Sequence, residues 1–150
     1  LVIGNNSALG LSSITAAGGT IQGDGQARTI SNSLIGTTTG MTIGGSGDLT
    51  FTGGGTVGTP AYANTTYANT AINIINTGTT TFSGVFSINN SSSGSNNGAS
   101  ILAFGSSANV VISGSIQDNN SGNVATPSTG LGNLVFKGVG ANFTISGNNG

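Results

Sequence analysis

The chain has 150 residues, a net charge of −1 from two basic and three acidic side chains, 28 Gly, and neither Cys, His nor Trp. Its 35% hydrophobic residues and two Pro set it apart from the highly charged, Pro-rich composition of disordered chains. One Arg and one Lys cannot form a basic patch for phosphates or anionic lipid, and no apolar run reaches the roughly 20 residues of a membrane-spanning helix. Nucleic-acid binding and direct membrane insertion are therefore not expected.

Gly interrupts almost every stretch, and no window carries apolar residues at helical spacing, so short β-strands are predicted throughout. Leu1 to Gly10 reads as an incoming strand followed by the turn Gly4-Asn5-Asn6-Ser7. Ile14 and Ile21 follow, separated by Gly18-Gly19, and Arg28-Thr29-Ile30 with Ser33-Leu34-Ile35 reads as a third strand of the same turn. Met41 and Ile43 alternate with Thr42, and Leu49 and Phe51 with Thr50 and Thr52, before Gly53-Gly54-Gly55 closes that unit. Apolar residues then thin out over 59–70, a predicted lateral loop holding Pro60, Tyr62 and Tyr67. Ile72, Ile74, Phe82, Phe86 and Ile88 lead into a second loop, 91–98. Phe104, Val110, Ile112 and Ile116 lead into a third, 118–129, and Leu134, Phe136, Phe143 and Ile145 complete the chain. Alternation of this kind places apolar side chains on one face of a strand and Thr, Ser or Asn on the other.

An apolar–polar–Gly unit returns five times, as Ile21-Gln22-Gly23, Phe51-Thr52-Gly53, Phe82-Ser83-Gly84, Ile112-Ser113-Gly114 and Ile145-Ser146-Gly147. Its apolar members are about 30 residues apart, a period typical of repeat architectures. Ile14, Ile43, Ile74, Phe104 and Phe136 form a second column at the same period. The segment from Phe82 to Ser91 also matches that from Ile112 to Ser121 almost residue by residue. These features predict an all-β parallel β-helix (β-solenoid) of about five coils of about 30 residues, a single segment of a longer repeat protein or fibre. One turn cannot bury its apolar face alone, so successive turns must stack. The two columns are expected as interior ladders. Gly23, Gly53, Gly84, Gly114 and Gly147 are expected at corners, where φ > 0 or close backbone approach is needed.

Little in the chain suggests chemistry. A nucleophile–base triad needs a base, and His is absent. Glycosidases and β-helical lyases rely on clustered acids, whereas Asp24, Asp48 and Asp118 fall in non-equivalent places and read as turn-stabilising. Gly44-Gly45-Ser46-Gly47-Asp48-Leu49 is a single, displaced copy of a calcium-binding nonapeptide whose site is shared between repeats. The runs Thr37-Thr38-Thr39 and Thr79-Thr80-Thr81 raise ice binding, but they do not tile every turn. The Asn-x-Ser/Thr sequons follow from composition. No catalytic, cofactor or metal residue is assigned, and Tyr62 and Tyr67 form the one candidate contact loop.

The opening Leu1-Val2-Ile3-Gly4-Asn5-Asn6-Ser7-Ala8-Leu9-Gly10, with Ile14-Thr15 and Gly18-Gly19-Thr20-Ile21-Gln22, resembles the spacer of the bacterial autotransporter-associated β-strand repeat family. Asn133-Leu134-Val135-Phe136 through Phe143-Thr144-Ile145-Ser146-Gly147-Asn148-Asn149 resembles the start of that family's repeat. The resemblance implies a right-handed β-helix at, or released from, a bacterial surface: a non-enzymatic stalk, adhesin scaffold, or matrix or fibre factor. The alternative is a carbohydrate-active or carbohydrate-binding β-helix. Expected partners are further copies, stacked end to end or edge to edge since no charged cap is visible, and cell-surface or matrix carbohydrate or protein.

Overall fold

A computed structural model describes residues 1–16, 18–36, 41–58, 71–89, 99–104, 108–119, 133–137 and 140–147. The described residues form sixteen strands and no helix. After β1 (Val2–Ile3) and β2 (Ile14–Ala16), the strands come in threes. β3 (Thr20–Asp24), β4 (Arg28–Ile30) and β5 (Leu34–Gly36) make one round; β6 (Met41–Ser46), β7 (Leu49–Phe51) and β8 (Gly55–Gly58) make the next. β9 (Ala71–Ile74), β10 (Thr79–Phe82) and β11 (Phe86–Asn89) follow, then β12 (Ala99–Phe104), β13 (Asn109–Ile112) and β14 (Ile116–Asn119), and finally β15 (Asn133–Lys137) and β16 (Asn142–Ile145).

The strands are dealt in rotation into three sheets. The first runs β1-β3-β6-β9-β12-β15, the second β4-β7-β10-β13-β16, and the third β2-β5-β8-β11-β14. Every pairing is parallel. Parallel neighbours cannot be joined by a tight hairpin, because the chain has to return to the same end. Here it returns by way of the other two sheets.

The sequence period is not uniform, and the register shows why. From the second sheet to the third the step is always six residues: Arg28 to Leu34, Leu49 to Gly55, Thr80 to Phe86 and Val110 to Ile116. Between the first and second sheets it is eight in three rounds: Met41 to Leu49, Ile72 to Thr80 and Leu102 to Val110. The return from the third sheet to the first carries the variation. Leu34 to Met41 is seven residues, Gly55 to Ile72 is 17, Phe86 to Leu102 is 16 and Ile116 to Phe136 is 20. Ile30 and Phe51 are therefore neighbours at a separation of 21, whereas Phe51 and Phe82 are neighbours at 31.

That short early round corrects both expected columns at their N-terminal end. Ile14 lies on the third sheet beside Leu34; the partner of Ile43 on the first sheet is Ile21. The column beginning at Ile21 continues through Ile43, Ile74 and Phe104, but Phe136 pairs with Leu102, two residues before Phe104. The second column begins at Ile30 and runs Phe51, Phe82, Ile112 and Ile145. A strict period of 30 misassigns Ile14 and Ile21 because the early round is about ten residues shorter at a single corner, and Phe136 because the last return is longer than the two before it.

All three sheets contribute to one apolar cluster. Ile3, Ile21, Ile43, Ile72 and Ile74 enter from the first sheet, Ile30, Leu49, Phe51, Phe82, Val110 and Ile112 from the second, and Leu34 from the third. At its centre the Phe51 and Phe82 rings stack with centroids 5.4 Å apart and planes 17° from parallel. Both rings are fully buried. Such a pair contributes about 0.5–1.5 kcal/mol beyond its buried area.

Candidate functional site

The corner between the second and third sheets repeats one short design. Phe51-Thr52-Gly53-Gly54-Gly55, Phe82-Ser83-Gly84-Val85-Phe86 and Ile112-Ser113-Gly114-Ser115-Ile116 occupy it in successive rounds. A Cβ built on Gly84 would overlap the backbone nitrogen of Gly54, and one on Gly114 the carbonyl oxygen of Gly84. One on Gly147 would overlap the carbonyl oxygen of Gly114, and one on Gly53 the backbone at Ser31 and Asn32. The requirement is close approach, and each blocked position faces the round before it. Gly23 does not belong to this series. It lies within β3, beside Gly45, where a Cβ would meet the Ser46 carbonyl oxygen at 3.0 Å.

In the early round the corner reads Ile30-Ser31-Asn32-Ser33-Leu34, so Asn32 stands where later rounds have Gly. Among the described residues no strand of the second sheet lies on its N-terminal side; the order of that sheet ends at β4. The segment 4–13, between β1 and β2, occupies the space. The Asn32 amide is buried and donates to the carbonyl oxygens of Ser12 (2.6 Å), Gly10 (3.1 Å) and Leu9 (3.4 Å). Asn6 reaches the edge of β4, where its Oδ1 accepts from the Thr29 amide at 3.0 Å. Leu9 packs against the core cluster from the same segment. The cover at this edge is uncharged, built from asparagines and main-chain carbonyls.

Asp24 and Asp48 are committed to structure. Asp24 forms a two-pronged ion pair with Arg28, whose Nε donates to Oδ1 at 3.0 Å and whose Nη2 donates to Oδ2 at 2.5 Å. The guanidinium hydrogen bond holds the Asp24 carboxyl below its ordinary pKa, against a smaller desolvation effect. Asp24 also accepts the Gln26 amide at 3.3 Å, as in an Asx turn. Asp48 accepts the Thr79 amide at 2.8 Å and so ties one round to the next. Gly45 and Gly47, beside it, are both left-handed at φ 91° and 82°. The nonapeptide-like stretch is therefore the end of β6, the turn Gly47-Asp48 and the start of β7. Asp118 lies on β14, in register with Ile88.

The outer face of the second sheet carries what the sequence pattern hid. Thr29, Thr50, Thr81, Val111 and Thr144 fall in one register column. Beside it stands Thr79, Asn109 and Asn142, in which the Asn142 side-chain nitrogen donates to Asn109 Oδ1 at 2.9 Å. Within the run Thr79-Thr80-Thr81 the middle residue is buried and accepts from Asn76 Nδ2 at 3.3 Å, so only its neighbours face outward. A search for Thr runs missed the outward column because consecutive residues face opposite ways. The signal was a Thr at i−1 from four of the five ladder apolar residues, in Thr29-Ile30, Thr50-Phe51, Thr81-Phe82 and Thr144-Ile145.

Tyr62, Tyr67 and the loops 59–70 and 91–98 lie outside the described residues, as do Thr37, Thr38 and Thr39 and all of the loop 118–129 beyond Asn119. The chain matches no protein-family model, no curated protein and no solved structure.

Proposed function

We propose that the chain is a segment of a right-handed parallel β-helix, a β-solenoid of about five coils, acting as a non-enzymatic extracellular structural or adhesive module. The observation that carries the reading is the rotation of strands through three parallel sheets, with a six-residue step repeated in four rounds. Right-handed parallel crossovers are the strong rule, at about 98% of cases. A frame of this kind fixes two corners while the third accepts insertions of different lengths, an arrangement suited to displaying loops on a stiff support. The lack of His and Cys in the sequence and the structural use of Asp24 and Asp48 support a non-catalytic role.

Surface or matrix carbohydrate and protein are the proposed partners, with self-association through ladder edges other than the one that 4–13 covers. The resemblance to autotransporter-associated repeats supports a bacterial surface setting. A second reading, carbohydrate binding, is favoured by the outward Thr and Asn columns, whose groups recur at the roughly 4.8 Å strand spacing. Incubating the purified protein with bacterial exopolysaccharides, while following both retention on the polymer and release of reducing ends, separates the readings. Retention without release supports an adhesive module. Sustained release of reducing ends that survives the combined Asp24→Asn, Asp48→Asn and Asp118→Asn changes would refute it in favour of an enzyme using other groups.

A further inference from the structure

We infer that Asn32 and the segment 4–13 form a terminator that closes the N-terminal edge of the second sheet against pairing with another chain. The inference rests on the register of that sheet and not on the adhesive reading above. Unpaired strand edges template association, and β4 is the last strand on its side of the sheet. Thr29 presents its amide at that edge, and the Asn6 side chain occupies it at 3.0 Å. An amide side chain here replaces the main-chain acceptor that an incoming strand would supply.

The corner residue gives the second, independent sign. Later rounds tolerate only Gly there, because the space where a Cβ would go is filled by backbone of the preceding round. Asn32 extends in the corresponding place and spends its amide on three carbonyl oxygens, those of Leu9, Gly10 and Ser12. A further round stacked at this corner would need the volume that the Asn32 side chain fills. Sterically, then, Asn32 marks this as the end of the corner stack. Chemically, it fastens the segment that covers the end, while Leu9 closes the apolar core beneath.

The test uses Asn32→Gly, which restores the residue of the stacked corners, and Asn6→Ala, which removes one acceptor at an exposed site. Amide exchange at Thr29 and sedimentation over a concentration series are measured on both variants and the parent. In Asn6→Ala, which loses one neutral hydrogen bond, the Thr29 amide should exchange roughly 2-fold to 10-fold faster, and in Asn32→Gly, which loses up to three, roughly 10-fold to 1,000-fold faster. Both variants should also gain a concentration-dependent increase in mass over the parent, with Thr29 protection returning as mass rises. Unchanged Thr29 exchange in Asn6→Ala would overturn the inference, since the edge would then be held by something else. So would faster exchange in either variant with sedimentation identical to the parent. Parent protein that itself gains Thr29 protection on self-association would overturn it as well. If Asn32→Gly fails to fold, Asn6→Ala decides alone.

Discussion

Replacing Gly84 by Ala tests the corner directly. The new Cβ would be driven into the Gly54 nitrogen and the Thr52 carbonyl oxygen, which are backbone atoms that cannot swing aside as a side-chain end would. Relief requires the two rounds to separate at the corner. Two hydrogen bonds span that gap, Ser83 N to Phe51 O at 3.0 Å and Gly55 N to Val85 O at 2.9 Å. Overpacking of a tight site costs about 1–3 kcal/mol, and each weakened hydrogen bond about 0.5–1.5 kcal/mol, giving about 2–6 kcal/mol altogether. Against the roughly 5–15 kcal/mol that hold a typical domain together, that is a large fraction. A loss near the middle of this range would lower the thermal midpoint by roughly 10 °C, at about 2–4 °C per kcal/mol for a chain of this size. Urea unfolding of Gly84→Ala beside Gly4→Ala isolates the steric contribution, because a Cβ at Gly4 meets nothing within 4 Å. Gly4→Ala should be neutral or slightly stabilising, since it only narrows the unfolded ensemble. Gly84→Asn should be worse than Gly84→Ala, although Asn is native at the same corner in the early round. Gly84→Ala as stable as the parent would refute the close-approach argument.

Phe82→Ala removes one ring of the buried stacked pair and should destabilise by about 3–5 kcal/mol in urea. A double-mutant cycle with Phe51→Leu and Phe82→Leu should return a coupling of about 0.5–1.5 kcal/mol; no coupling would mean the rings do not stack. Val110 is buried and Val111 half-buried on the outer column. Val110→Thr should therefore cost about 1–3 kcal/mol, whereas Val111→Thr, which completes the Thr column, should stay within about 0.5 kcal/mol. Equal effects at the two sites would mean the strand is out of register by one. The Asp24 carboxyl has a folded-state pKa below its unfolded value near 3.8, so the ion pair's contribution is present above that pH. It is lost as the pH falls through the lower folded value. Acid unfolding followed by circular dichroism should show this component in the parent and not in Asp24→Asn, and added salt should shrink it.

That the chain is all-β, with short strands set at recurring intervals, was legible in the sequence because two of the three inter-sheet steps are nearly rigid. Phe82-Ser83-Gly84-Val85-Phe86 and Ile112-Ser113-Gly114-Ser115-Ile116 differ mainly by apolar exchange, and strand, corner and strand follow from alternation plus Gly. The parity of most strands was legible for the same reason. Register at the N-terminal end was not, because Leu34 to Met41 takes seven residues where Gly55 to Ile72 takes 17. A search for one period then pairs Ile14 with Ile43 and Ile21 with Phe51, which places third-sheet with first-sheet residues and first-sheet with second-sheet ones. The local unit Ile30-Ser31-Asn32-Ser33-Leu34 could have prevented this, since it matches Ile112-Ser113-Gly114-Ser115-Ile116 except for the glycine and one apolar exchange.

That exception joins what was readable to what was not. A motif search for apolar–polar–Gly discards Ile30-Ser31-Asn32, yet the missing Gly is informative, because Gly is needed only where another round lies beneath. The same backbone corner thus takes two residues for opposite reasons. Gly84 and Gly114 leave room so that a round can follow the one before. Asn32 fills the room, and its amide takes up carbonyl groups that no preceding strand of the second sheet engages. The Thr column follows the same logic on the outer face. Thr29, Thr50, Thr81 and Thr144 are scattered in sequence at intervals of 21, 31 and 63 residues, and become one line only when the register is known. In a chain wound this way the spacing that matters is the distance between rounds, and each loop inserted at the variable corner conceals it from the sequence while leaving it unchanged in the fold.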